Sequence, residues 1–308
     1  MINRRLLRAA LPFLSLFIVL AATFYVQPRT MSYFGLNLML QYAIPIALAT
    51  IAQMFIITVN DLDLSIGPFV GLVGCLSATL LLNDPLLGIL ALLACIAAYG
   101  LVGALIHIRN LPSIVVTLGL SFVWLGIAVI ILPSPGGKAP AWIKAIMSYQ
   151  MPWVPLPIVA AILIGGVVHL ALMTSSFGVI GRGAGGNPKA LQRAGWSMLK
   201  TKVAMFTLAG FFGVLAGLSL LGLTTSADAH VADRYTLYSI AGVILGGGEF
   251  IGGRVSPMGS VVGALTLALA GAFLIFLKIS PDWQIGAQGA ILIIVLALRA
   301  LITRGETR

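Results

Sequence analysis

Of the 308 residues, 60% are hydrophobic and only 8% are charged, and the mean hydropathy is +1.09. A soluble domain carries about 25% charged residues, so the chain has too little charge to cover a water-facing surface, and a soluble globular protein is excluded. The net charge of +10 does not make a nucleic-acid-binding face, which needs bases clustered on one soluble surface. Here most of the bases sit in short gaps between apolar runs. Cys75 and Cys95 fall inside such runs and form neither a disulfide framework nor a metal site.

A bilayer core of about 30 Å is crossed by roughly 20 apolar helical residues. Ten runs come close: 11–27, 38–58, 66–82, 86–106, 111–132, 155–175, 202–223, 235–248, 257–278 and 284–301. The expectation is an all-α polytopic membrane protein, one transmembrane domain over 1–308 with about ten transmembrane helices, the eighth run being too short to span alone. Arg4, Arg5 and Arg8 ahead of the first run, with Ala21-Ala22 near its end, resemble a signal peptide. The apolar stretch continues through Val26, longer than the usual apolar region of such peptides, and this favours an uncleaved first span. Asn83-Asp84-Pro85 and His107-Ile108-Arg109-Asn110 read as tight turns. Two gaps are long: 133–154, rich in Pro and Gly, and 176–201, polar and basic.

With a cytoplasmic N-terminus and all ten runs crossing, thirteen bases fall inside and five outside, the five being Arg29, Lys138, Lys144, Arg234 and Lys278. That is the asymmetry of the positive-inside rule. Counting acids as well, the inner side carries a net +9 and the outer side +1. Both termini and the 176–201 loop are then cytoplasmic, and 133–154 is external.

Two stretches interrupt the apolar pattern: Val59-Asn60-Asp61-Leu62-Asp63-Leu64-Ser65-Ile66-Gly67, and the segment 246–256 with Glu249, Gly252, Gly253 and Arg254. Each follows an outside-to-inside run, carries acid with Gly, is followed at once by Pro (Pro68 and Pro257), and restarts into a Gly-rich helix. Unwound backbone at membrane depth is tolerated only where protein or a watery cavity satisfies its polar groups, and paired breaks point to a transport pathway. Ordinary cytoplasmic turns are the other reading. Asp61, Asp63, Ser65, Gly67, Glu249, Gly252, Gly253 and Arg254 are the pathway and gating candidates. At an interface, Asp63 or Ser65 would instead cap the following helix; Asp63 suits the cap, and Asp61 stays open.

In 176–201, Asn187-Pro188 marks a helix start, with Asn as cap and Pro in the first position. Lys189 to Ala194 continue it and Gly195 ends it. Such a helix suits docking on another protein; contact with anionic lipid alone is the alternative. Gly67/Gly71, Gly213/Gly217, Gly242/Gly246 and Gly259/Gly263 repeat at a spacing that lets helices approach closely in lipid. The chain has no phosphate-binding G-x-x-x-x-G-K-[ST] loop and no catalytic constellation, so it reads as a non-enzyme. Phe69, Phe122 and Trp124 have the shape to stack on a sugar ring, although core or lipid contact suits each better.

Three segments resemble the membrane-spanning permease subunits of bacterial ABC importers for simple sugars, the ribose and autoinducer-2 type. Asp63-Leu64-Ser65-Ile66-Gly67 is similar to the family's G-G-I-D-L-S-V-G. Gly185-Gly186-Asn187-Pro188-Lys189-Ala190, then Ala194-Gly195-Trp196, is similar to its cytoplasmic G-G-N-x-x-A-A-R-x-S-G-I. Gly252-Gly253-Arg254, then Pro257-Met258-Gly259-Ser260-Val261-Val262-Gly263-Ala264, is similar to its G-G-R-G-S-V-x-G-T-x-x-G-A. Leu111-Pro112-Ser113-Ile114-Val115-Val116-Thr117 and Ser280-Pro281-Asp282-Trp283-Gln284 add weaker support.

The resemblance implies that Gly185, Gly186, Asn187, Pro188, Ala190 and Gly195 couple the chain to a separate ATPase subunit, which binds ATP with Mg; this chain holds no cofactor. It also implies a second permease subunit, identical or different, a soluble solute-binding protein on the outer face, and location in the bacterial inner membrane. Asn60-Asp61 stands where the family has Gly-Gly, and Glu249-Phe250-Ile251 replaces Thr-Ser-Leu. A secondary transporter driven by ions through Asp61 or Asp63 is the runner-up, and the docking helix argues against it.

Overall fold

The computed structural model describes residues 4–279 continuously and residues 283, 286, 289, 290 and 293 beyond them. Its elements run α1 (Arg4–Val26), a 3-10 turn (Pro28–Met31), α2 (Tyr33–Leu40), α3 (Ala43–Thr58), α4 (Ile66–Asn83), α5 (Pro85–Ile108) and α6 (Ser113–Ile131). There follow α7 (Ala141–Met147), α8 (Leu156–His169) with a π-helical turn (Leu170–Thr174), α9 (Ser176–Gly186), α10 (Pro188–Arg193), α11 (Met198–Thr224), α12 (Tyr235–Leu245) and α13 (Pro257–Phe276). All nine apolar runs among the described residues are helical, and no strand is present among those residues.

Six helices are long and apolar enough to cross a bilayer, or seven if α2 and α3, which meet at 41°, form one bent span. The expected count of about ten is therefore not reached among the described residues. Within α1, which carries Pro12 and begins with arginines, the apolar helix is confined to Ala10–Val26. The helix α12 has only 11 residues. The tenth run, 284–301, lies outside the described residues, as do Asp282, Arg299, Arg304, Glu306 and Arg308.

Every residue of α3 is buried, so this largely apolar helix, with only Thr50, Gln53 and Thr58 polar, forms the axis of the bundle, as a helix apolar on nearly every side must. Around it stand α11, α12 and α13, with α5 packed on the far side of α11. No hydrophobic force drives helices together in lipid, so close approach of small residues matters instead. Gly100 and Gly103 of α5 lie against Thr207 and Phe206 of α11, and Gly210 of α11 lies beneath Tyr99. The Gly242/Gly246 and Gly259/Gly263 pairs face each other across α12 and α13, leaving no space for a Cβ on either side. Outward residues such as Leu101 and Ile130 are largely exposed, as lipid contact requires. The first helix packs Leu16, Val19, Leu20 and Phe24 near Leu269 of α13.

The connections sort to two ends. At one end, Gly136 and Ala227 exchange two backbone hydrogen bonds of 2.9 and 2.8 Å, and the Tyr33 hydroxyl donates to the Met151 carbonyl at 2.5 Å. Segment 133–154 is therefore folded against 225–227 and contains α7. At the other end lie 59–65, 109–112, 175–197 and 246–256. Segment 176–201 is a correction: α9, α10 and the start of α11 replace most of the expected loop. Five glycines in α9 oppose helix formation by intrinsic propensity, but they permit contacts no larger residue allows. Gly178 sits on the Leu172 carbonyl, Gly181 on Met205 and Gly185 on the Thr58 carbonyl.

Candidate functional site

The first break, 59–65, is built from residues that satisfy a backbone unable to pair with itself. Asn60 adopts φ 61°, a left-handed conformation that Asn accepts because its side chain can bond locally. Asp63 is wholly buried. Its Oδ1 accepts from the Ser65 N–H and hydroxyl, both at 2.6 Å, and its Oδ2 accepts from the Tyr99 hydroxyl at 2.8 Å. Burial pushes this carboxyl above its ordinary range, while the hydrogen bonds from Ser65 and Tyr99 draw it down. Asp63 thus holds the residue that begins α4 rather than a later N–H of that helix. Ser65 occupies the cap position without a side-chain cap bond.

The remaining N–H groups find partners on other helices. The Leu62 and Leu64 N–H groups donate to Ser113 and Thr117 of α6 at 3.1 and 3.0 Å. The Gly67 N–H donates to the Thr236 hydroxyl of α12 at 3.0 Å. A Cβ at Gly67 would lie 2.6 Å from the Ala232 carbonyl oxygen, so only glycine fits there. The Gln53 amide of α3, oriented by the network, accepts from the Asp63 N–H and donates to the Asp63 carbonyl at 3.1 Å each. Asp61 pairs with Lys202 in the first turn of α11 at 2.7 Å, both side chains mostly buried.

The coupling candidates form the turn between α9 and α11. Asn187 Oδ1 accepts from the Ala190 N–H at 3.0 Å, and Pro188 occupies the first helical position of α10. Gly195, at φ 85°, turns the chain out of the helix. From Gly186 to Ser197 every residue except Leu191 is exposed. A short helix is thus presented at one end of the bundle, with Trp196 about half exposed beside it.

The second break, 246–256, is made of glycine and backbone. Gly247, Gly252 and Gly253 have φ of 100°, 96° and 64°, and the Glu249 N–H donates to the Arg254 carbonyl at 2.9 Å. The Arg254 and Glu249 side chains pair at 3.5 Å in an exposed position. A Cβ on Gly253 would strike the Arg182 carbonyl of α9, and one on Gly185 would lie 2.8 Å from the Gly253 Cα. The two breaks and the coupling segment therefore meet at one point.

Sequence reasoning missed Gln53, Tyr99, Ser113, Thr117, Lys202 and Thr236. Their signal was weak but present: each is a polar side chain in or beside an apolar run, and Ser113 and Thr117 share one helical face. Of the aromatic candidates, Phe69 and Trp124 are buried with ring centroids 5.5 Å apart, whereas Phe122 is exposed. At the opposite end, a cavity of about 650 Å³ opens between Arg29, Tyr42, Tyr238 and Phe276 and includes none of the candidate residues.

Apolar spanning helices, interrupted where their broken ends converge beneath a short exposed helix, fit a multi-pass membrane transport protein of the permease class. The chain belongs to the family described as branched-chain amino acid transport system / permease component, whose model matches residues 35–296. It is similar to the ribose import permease protein RbsC of Bacillus subtilis (strain 168), 29% identical over 93% of this chain and 91% of the relative. It is also similar to the probable ABC transporter permease protein YphD of Escherichia coli (strain K12), 28% identical over 87% of this chain and 82% of the relative. The galactose/methyl galactoside import permease protein MglC of Haemophilus influenzae is 26% identical over 86% of this chain and 85% of the relative. No solved structure matches the chain. The resemblance to sugar-importer permeases, read from three short motifs, thus extends along most of the chain.

Proposed function

We propose that the chain is the translocation subunit of an ATP-driven importer for a monosaccharide or a related small polar solute. One observation carries the reading: α10 stands exposed at the end where both breaks meet, and α9 rests on both of them. A separate ATPase, holding ATP with Mg, seats on Gly186, Asn187, Ala190 and Gly195, and its motion alternates access across the membrane. A second permease subunit completes the pathway, and a soluble solute-binding protein delivers the solute to the outer face. The site lies in the bacterial inner membrane with the N-terminus and α10 in the cytoplasm, where the bases on 182–202 and at 254 obey the positive-inside rule. This chain performs no catalysis of its own. An ion-driven carrier has less support, because Lys202 holds Asp61, and Ser65 and Tyr99 hold Asp63.

Proteoliposomes carrying the chain with its ATPase and binding protein, offered ribose, galactose and leucine, test the reading. Uptake of a sugar that requires ATP is expected, and Gly186→Glu or Gly195→Glu abolishes it while the chain still inserts. Uptake that survives both changes, or that runs on a proton gradient without ATP, overturns the importer.

A further inference from the structure

Two adjacent residues of the first break reach both flanks of the exposed helix. The Asn60 Nδ2 donates to the Gly185 carbonyl at 2.7 Å, and its Oδ1 accepts from the Gly252 N–H at 3.0 Å. One amide therefore joins the end of α9 to both breaks, bridging 125 residues to one partner and 192 to the other. Asp61, next in sequence, pairs with Lys202 at the start of α11. Gly185 lies just before α10, and Lys202 just after it. The helix α10 is thus tied at both of its flanks to one dipeptide, and the same dipeptide is tied to the second break.

We propose that Asn60 and Asp61 are positioning residues that convert displacement of α10 into concerted movement of both breaks. The proposal rests on the importer reading and adds to it the route by which the docked helix acts. Displacing α10 shifts Gly185 and Lys202 together. Asn60 and Asp61 carry that shift to the start of α4, and the Asn60 Oδ1 carries it to Gly252. Neither residue touches the solute in this scheme, so the apparent affinity for solute does not depend on them.

Asn60→Gly isolates the amide, because glycine accepts φ 61° without strain. In the full assembly in proteoliposomes, ATP hydrolysis and sugar uptake are measured together. Asn60→Gly is expected to lower the sugar moved per ATP by about fivefold or more, since two hydrogen bonds are lost and one is worth about fivefold, with the apparent KM for sugar unchanged. Asp61→Asn, should Asn60→Gly assemble poorly, is expected to lower the same ratio, and the double variant to fall short of the product of the two single effects. A wild-type ratio in a well-inserted Asn60→Gly, or a fall in hydrolysis and uptake in equal proportion, overturns the tie and leaves the importer reading intact. A wild-type assembly without ATP-dependent uptake overturns both.

Discussion

Between α3 and α4 the chain leaves its helix for seven residues, and between α12 and α13 it leaves for eleven. The first interval meets Gln53, Tyr99, Ser113 and Thr117 from three other helices, and Thr236 closes the start of α4. The second is held mainly by its own backbone, by three glycines of positive φ and by one exposed ion pair, with the Asn60 amide as its one side-chain tie to the first. Both solve the problem of unpaired N–H and C=O groups near the membrane, one with side chains and the other with glycine geometry. The difference matters for movement. An interval fixed by buried side-chain bonds moves with the helices that supply them, whereas one fixed mainly by backbone torsion can bend within itself and follows the first through the Asn60 amide.

That contrast can be broken at four points. Gly185→Val brings a branched side chain onto the Thr58 carbonyl and Gly253, and uptake is expected to fall more than about tenfold with poor assembly, since overpacking at a backbone contact has no cheap relief. Asp63→Ala leaves the Ser65 N–H and the Ser65 and Tyr99 hydroxyls without their acceptor. It should destabilise the chain by about 3 kcal/mol or more, read as a lowered Tm in detergent. Thr117→Val removes the acceptor for the Leu64 N–H and the hydroxyl that donates to the Leu62 carbonyl at 3.3 Å, and about 1–2 kcal/mol is expected in the same measurement. Arg254→Ala breaks an exposed pair and should cost about 0–0.5 kcal/mol. A Tm shift for Arg254→Ala as large as that for Thr117→Val would show that side chains hold the second break after all.

The sequence made some of this arrangement readable and hid the rest for physical reasons. Caps are local, so Asn187-Pro188 and Gly195 could be read from a few neighbouring residues, whereas Asp63, expected to cap α4, instead accepts from Ser65 and from the distant Tyr99. The breaks were readable because acids and glycines interrupt long apolar runs. Asn60 was legible by half: its tolerance of left-handed geometry is intrinsic, but its partners lie far off in the chain and no local rule finds them. The helix α9 was hidden because its glycines speak against a helix, and only the close contacts with Leu172, Met205 and Thr58 repay their cost. The span count failed where length rather than hydropathy decides, at α12, and its last member falls outside the described residues.

The complete burial of α3 has a consequence for the surrounding membrane. Bilayer thickness acts on helices in contact with acyl chains, through tilt or local thinning. The outward faces of α5, α6 and α8 feel that stress, but α3 shares no surface with lipid. The helix that leads into the first break is therefore insulated from the bilayer it stands in, and the position of Asn60 is set by protein alone.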